Sequence, residues 1–291
     1  MEGESVTYAA RGAPPAVSAE PGWPGGQPPG GVRALAAGAR HLASRIVTLC
    51  WVEIRKIRHD QTELYTRAIQ PALWLLVFGE TFTRIRAIPT GKVPYLDYLA
   101  PGIIAQSALF IAIFYGIQII WERDAGVLAK LMVTPTPRAA LITGKAFASG
   151  VRSVMQALVV VVLAAILGVP LTASPAKLIG TLLVVILGSA FFSCLSMTIA
   201  GLALSRERLM GIGQAITMPL FFSSNALYPT GVMPGWLQAI SKVNPLSYEV
   251  SALRQLLIGV PGNLWLDIAV LFIAAVVSVS AAAALLPRLA R

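Results

Sequence analysis

Long stretches of this chain carry no charged side chain, and that feature limits the fold more than any other. Residues 98–121 and 153–176 are uncharged, and so is a run of 33 residues at 209–241. A helix needs about 20 apolar residues to cross the hydrocarbon layer of a bilayer, so each run is long enough to span one. Charged residues make up 12% of the chain and apolar ones 56%, against about 25% charged in a soluble domain. A transmembrane barrel would show short alternating segments instead. The pattern predicts an all-α polytopic membrane protein.

Taken in order, residues 1–31 are rich in Pro, Gly, Ala and Ser. Such a segment cannot bury a core, so it reads as a disordered tail. It has no basic stretch followed by an apolar core, so it does not read as a signal peptide. Residues 32–60 read as an amphipathic helix. Leu42, Ile46, Cys50, Ile54 and Ile57 recur at helical spacing, and Arg45, Arg55, Lys56 and Arg58 fill much of the other face. A basic amphipathic helix next to a span lies in the membrane interface. The remainder, 32–291, reads as one membrane domain with spans near 68–85, 99–121, 151–169, 178–204, 210–227 and 264–286. Lys145 and Arg152, at the inner end of the third span, are expected to snorkel to headgroups. Small residues in the fourth (Gly188, Ser189, Ala190, Ser193, Ser196 and Gly201) allow close helix approach.

The 209–241 run is too long for one crossing and is broken by Pro219, Pro229, Gly231, Pro234 and Gly235. Residues 228–259 therefore read as irregular backbone and half-helices dipping into one interface. Asn244-Pro245 reads as an N-cap followed by proline at the first helical position, with Gly259 closing that helix.

Basic residues set the orientation. Seventeen Lys and Arg fall on the side of the two termini and the 121–138 segment, and six on the other. The excess places both termini and residues 121–138 in the cytoplasm, and 228–259 outside. A net charge of +10 is explained by topology and anionic headgroups rather than by nucleic acid.

Catalytic and nucleotide-binding motifs are missing. Gly91-Lys92 is followed by Val93 and Gly144-Lys145 by Ala146, so neither forms a phosphate loop. Cys50 and Cys194 stand apart, and His41 and His59 both lie near the N-terminus, so no metal site is expected. Glu80 and Asp267, near span ends, are taken as the only acids within the membrane segments.

Residues 121–138, WERDAGVLAKLMVTPTPR, form a short polar island between two apolar runs. Val127, Leu128, Leu131 and Met132 have helical spacing, and the Thr134-Pro135-Thr136-Pro137 sequence stops any helix. On spacing alone, a solvated connecting loop is the simpler reading. The sharper one is a short amphipathic helix that carries force from a soluble partner into the membrane.

Two motifs decide between them. Glu122-Arg123-Asp124-Ala125-Gly126 through Leu131, with Thr134-Pro135, Arg138 and Gly144-Lys145, resembles the "E-R-[ED]-x-G-T" coupling segment of permeases of ATP-binding-cassette exporters of the second export class. That family includes drug-efflux and polysaccharide- or lipid-export permeases. Residues 219–225 (PLFFSSN), Tyr228-Pro229, Met233-Pro234, Trp236-Leu237, Asn244 to Tyr248 and Leu253-Arg254 are similar to its outer re-entrant signature. Val127 replaces the usual threonine, and Asn225 stands where drug-efflux members often have glycine.

The resemblance implies a six-span permease with a cytoplasmic coupling helix at 121–138. Glu122, Arg123 and Asp124 would make its polar contacts, Val127, Leu128 and Leu131 would pack into an ATPase groove, and Gly126 belongs to the same ATPase-coupling set. Tyr228, Pro229, Pro234, Trp236, Asn244, Pro245 and Arg254 would belong to the outer gate, although for Asn244, Pro245 and Arg254 capping and anchoring alone is the simpler role. The implied partners are a separate cytosolic ATPase, which would hold ATP and Mg, a second permease subunit as a homodimer rather than a heterodimer, and the lipid membrane. This chain itself would hold no cofactor and no metal and would not be an enzyme. Export of an amphipathic molecule (drug-like, lipid or lipid-linked glycan) across the cytoplasmic membrane is the implied function. The alternatives are an ATPase-independent carrier or channel, and a structural subunit that moves nothing.

Overall fold

The computed structural model describes residues 61–289 apart from 86–87, 92 and 134–137, together with seven positions between 44 and 59. By compactness the chain divides into Met1–Arg40 and His41–Arg291, and all the described residues belong to the second unit. The described part is helical, with no strand. Ser44, Val47, Thr48, Trp51, Ile54, Arg55 and His59 are helical. Arg45, Lys56, Arg58 and the 1–31 tail lie outside the described residues.

Helix α1, Gln61–Leu73, runs through a π-helical turn at Trp74–Gly79 into α2, Glu80–Ile85. Then come α3, Tyr95–Asp124; the short α4, Val127–Val133; α5, Arg138–Ile166; and α6, Pro175–Ala203. They are followed by α7, Arg206–Phe222; a 3₁₀ turn at Thr230–Val232; α8, Gly235–Val243; α9, Pro245–Leu257; and α10, Leu264–Leu289. Four of them, Tyr95–Asp124, Arg138–Ile166, Pro175–Ala203 and Leu264–Arg288, are long and apolar enough to cross a membrane. The α1–α2 stretch is interrupted by the wide turn, and α7 has 17 residues.

Helix α3 is the inner helix: 78% of its most apolar window is buried, against 22% for α10. Leu99, Ile103, Ile104 and Leu109 are fully covered. By contrast α10 leaves Trp265, Phe272, Ile273 and Val277 on the surface, as a lipid-facing helix does. Helix α6 packs on α3, α5, α9 and α10 at once. Lipid tails are as apolar as leucine, so helices associate here by close approach and hydrogen bonds. Two glycines on α3 show this. A Cβ at Gly116 would lie 2.2 Å from Ser196 Oγ on α6, and one at Gly102 would lie 2.4 Å from the Ala226 carbonyl oxygen. Ser196 Oγ donates to the Ile113 carbonyl at 2.6 Å, and Ser189 Oγ lies 2.8 and 2.9 Å from the hydroxyls of Ser149 and Ser153 on α5. The small residues of α6 thus seat its neighbours.

Candidate functional site

Three constellations carry polar chemistry: one at each end of α3, and one beside its middle.

At the C-terminal end, the sequence motif is divided between two elements. Glu122, Arg123 and Asp124 are the last turn of the long helix α3, not part of the short one. Gly126 then turns the chain with φ +69°, a conformation costly for any residue with a Cβ, and α4 begins at Val127. Glu122 pairs with Lys145 on α5 and accepts from Gln118 Nε2 at 3.4 Å. Lys145 is buried, 8% exposed, so it does not snorkel; the Glu122 carboxylate supplies the charge partner that headgroups would otherwise provide. Arg123 donates to the carbonyl of Leu204 at 2.8 Å. Leu204 ends α6 in the left-handed conformation, φ 56°, so Arg123 satisfies an open carbonyl at a strained cap. Asp124 accepts from Arg123 at 2.8 Å and from Arg206 of α7 at 2.7 Å. The Arg206 guanidinium also lies 5.6 Å from the ring centre of Trp121. One turn of α3 thereby ties the ends of α5, α6 and α7 together. On α4, Leu128 is fully buried and Leu131 partly so, while Val127, Ala129 and Lys130 face outward.

At the other end, Asn244 and Arg254 hold α9. The Asn244 side chain accepts from Leu246 N at 3.0 Å, capping α9, and donates to the Leu220 carbonyl at 2.7 Å and to Ser223 Oγ at 3.1 Å. Pro245 follows at the first helical position. Arg254 donates to the carbonyls of Tyr98, Asn225 and Ala226 at 3.1, 2.7 and 3.1 Å, and its guanidinium lies 3.5 Å from the Tyr98 ring centre. It therefore pins the irregular 223–226 stretch to α3; burial lowers its pKa to about 10, so it keeps its charge at neutral pH. Tyr228 donates to the Phe222 carbonyl at 2.5 Å, Pro229 precedes the 3₁₀ turn, and Pro234 starts α8. Trp236 is 67% exposed, and Ile240 and Val243 are exposed beside it.

Glu249, on α9, is the acid that the sequence reading left out. It is fully buried, and neither carboxylate oxygen has a hydrogen-bond partner. A Cβ at Gly188 of α6 would sit 2.3 Å from that carboxyl, so glycine makes the room for it. Burial pushes its pKa well above the usual carboxylate range. The sequence signal was a Glu five residues before Arg254 in a mostly apolar segment. Glu80 is instead exposed and paired with Arg84 at 3.0 Å, and Asp267 is buried and accepts from Gln255 at 2.6 Å.

Beside the middle of α3 lies a cavity of about 250 Å³ between α1, α3, α5 and α7. Its polar lining is almost entirely neutral: Gln70, Gln106, Gln156, Gln214 and Ser107, with Arg67 as the one charged residue. A second cavity of about 270 Å³ shares Phe110, Phe114, Gln214 and Met218 with it and continues toward Leu209. The Arg67 guanidinium lies 4.4 Å from the Phe114 ring centre, a cation–π contact. None of this was predicted; the signal was the set of glutamines inside apolar runs. Among the described residues, no group of His, Cys, Asp and Glu could hold a metal ion.

This architecture has relatives. The model of the ABC-2 type transporter family matches residues 44–258. A putative transport permease, ycf38, of Cyanophora paradoxa is 30% identical over 203 residues, 68% of this chain and 69% of its own length. The daunorubicin resistance ABC transporter permease protein DrrB1 of Streptomyces coeruleorubidus is 27% identical over 232 residues, 78% of this chain and 81% of its own. Nodulation protein J of Rhizobium leguminosarum bv. viciae is 29% identical over 199 residues, 67% and 76%. With the family match covering most of the described helices, the chain belongs to the ABC-2 type transporter family, as a multi-pass membrane permease.

Proposed function

We propose that this permease exports an uncharged amphipathic molecule from the cytoplasm, driven by a separate cytosolic ATPase. The observation that carries the reading is the cavity beside α3. Its walls are aromatic, thioether and carboxamide, with no acid, and its one guanidinium lies against an aromatic ring. A small cation would find no acid in such a place, and a small anion only a guanidinium already held against a ring, whereas an apolar body with a few hydrogen-bonding groups finds both kinds of contact. Relatives named for daunorubicin and doxorubicin resistance support the amphipathic character of the cargo and not its lack of charge.

In this reading α1–α2 and α7 also cross the bilayer, which makes six spans with both termini and α4 in the cytoplasm. Helices α8 and α9 form an outer re-entrant region, and two copies of the chain act as a homodimer. The short α4 is the coupling element. Leu128 anchors it to the bundle, and Val127, Ala129 and Lys130 face the ATPase. The last turn of α3 passes a push on α4 to α5, α6 and α7 through Glu122–Lys145, Arg123–Leu204 and Asp124–Arg206. ATP binding then shifts an equilibrium between two packings through differential contacts with each.

The test is co-purification from membranes in mild detergent. An ATPase of about 30 kDa, one domain of roughly 250 residues, is expected with wild type. It is expected to be lost with the exposed-face double variant Val127→Asp/Lys130→Glu, while expression and thermal stability of the permease are kept. If wild type retains no ATPase in any of several detergents, the chain works as a self-sufficient carrier or channel.

A further inference from the structure

We infer that Gln156 reads the ligand in the cavity beside α3, and that the ligand class is an uncharged molecule presenting a donor and an acceptor side by side, as in a carboxamide or lactam, on an aromatic body. The inference deepens the proposed function and rests on it for the identity of the ligand as cargo. The binding chemistry stands on its own.

Gln156 lines the cavity from α5 and is 1% exposed. Neither Oε1 nor Nε2 has a hydrogen-bond partner, and both are closed to water, so the amide meets a ligand by turning about its side-chain bonds into the cavity it lines. Its neighbours along α5 show what a settled polar residue looks like in this bundle. Ser149 and Ser153, on the same face, are both satisfied through Ser189. A buried amide left unmade at both atoms is expensive, because each atom has lost water and gained nothing. A ligand that supplies both partners recovers that cost, and one that lacks either leaves an atom orphaned.

The geometry of a carboxamide narrows the class. Its carbonyl accepts and its NH₂ donates in one plane. A carboxylate ligand could take the N–H but would leave Oε1 without a donor. An ammonium could serve Oε1 but not Nε2, and it would meet Arg67 without a compensating acid. A neutral donor–acceptor pair satisfies both atoms. Phe110, Phe114 and Met218 supply the apolar walls against which a ring would lie. Sites built around buried polar groups reject analogues that cannot pair with them more strongly than apolar pockets reject a misfit methylene.

The test uses the full-length permease in lipid nanodiscs without any ATPase. The probe is 6-azidoquinolin-2(1H)-one, a photolabel whose lactam holds N–H and C=O side by side on an aromatic body. Competitors are quinolin-2(1H)-one and coumarin, which replaces the lactam N–H by a ring oxygen at nearly constant shape. The expected result is labelling of α3 near Phe110 to Phe114 or of α7 near Met218. Quinolin-2(1H)-one is expected to compete at concentrations about tenfold lower than coumarin, since one lost pairing at a buried amide is worth about that factor. In Gln156→Met, whose side chain has similar length and no hydrogen-bonding group, the two competitors become equal while labelling persists. Equal competition in wild type, labelling that maps elsewhere, no specific labelling, or an unchanged preference in Gln156→Met each overturns the inference. The wild-type comparison decides even if the variant does not fold. Because no ATPase is present, a failure here leaves the exporter reading intact, and failure of ATPase co-purification leaves this result readable.

Discussion

The two ends of α3 solve one problem, holding a bundle together with charge, in opposite ways. At the Asp124 end, charges are paired across elements: Asp124 and Arg206 stay close to solvent, with side chains 37% and 44% exposed, and only Glu122–Lys145 is half-covered. At the Tyr95 end, Arg254 is buried and satisfied by carbonyls, and deeper on the same helix the uncharged Glu249 is buried with no partner. Exposed pairs are weak, screened and easily exchanged. Buried groups are costly to move and fix one arrangement. The first end is therefore suited to rearrangement and the second to rigidity.

Four outcomes would break or sharpen that contrast. The largest belongs to Arg254. Arg254→Ala strips three carbonyls of their donor and should cost about 3 kcal/mol or more, read as a lower apparent Tm in detergent. Arg254→Lys should recover only part, because an ammonium lacks the planar fork. An Arg254→Ala protein as stable as wild type would remove the claim of a rigid end.

Next comes the half-covered pair. Glu122→Gln leaves Lys145 buried without its carboxylate and should cost about 1–2 kcal/mol, below the 3–5 kcal/mol of a fully buried pair. The double variant Glu122→Gln/Lys145→Gln should be more stable than Glu122→Gln alone. Additive losses in that cycle would show that the pair is not coupled.

Third is Glu249, whose pKa is raised in the fold. Unfolding frees the carboxyl to ionise near its ordinary value. Its contribution is therefore fully present below that value and declines as pH rises toward the folded pKa. Between about pH 5 and about pH 8 the wild-type Tm should fall more than that of Glu249→Gln. The wild type should also show an infrared band of a protonated carboxylic acid that the variant lacks. Parallel pH profiles would mean that the carboxyl is ionised in the fold.

The smallest effect is at Arg206. Arg206→Ala should shift Tm only slightly at low salt, and the difference should vanish near 1 M salt, where the Debye length is about 3 Å. A large, salt-independent loss would place the Asp124 end in the rigid class as well.

Much of this was readable in advance for identifiable reasons. The uncharged runs gave the long helices because only a helix satisfies its own backbone in lipid. Asn244-Pro245 and Gly259 gave both limits of α9, because capping and left-handed turns are local chemistry. Helix α4 was legible from its apolar spacing, but its start was not. Nothing local says that the α3 helix continues through Glu122, Arg123 and Asp124 before Gly126 turns it. The snorkelling expected of Lys145 failed because Glu122, 23 positions away in sequence, lies within reach. Glu249 was passed over because its burial depends on Gly188 of another helix.

The sequence by itself determined that the chain is helical and lies in a membrane, because these follow from composition and short-range spacing. Only the tertiary structure decided which polar groups meet. The joining of α5, α6 and α7 to the end of α3, the seat of Glu249 on Gly188, and the glutamine-lined cavity all pair residues far apart in the chain. The physical reason is that a polar side chain in an apolar bundle is defined by what lies opposite it, and that partner comes from packing rather than from neighbours in sequence.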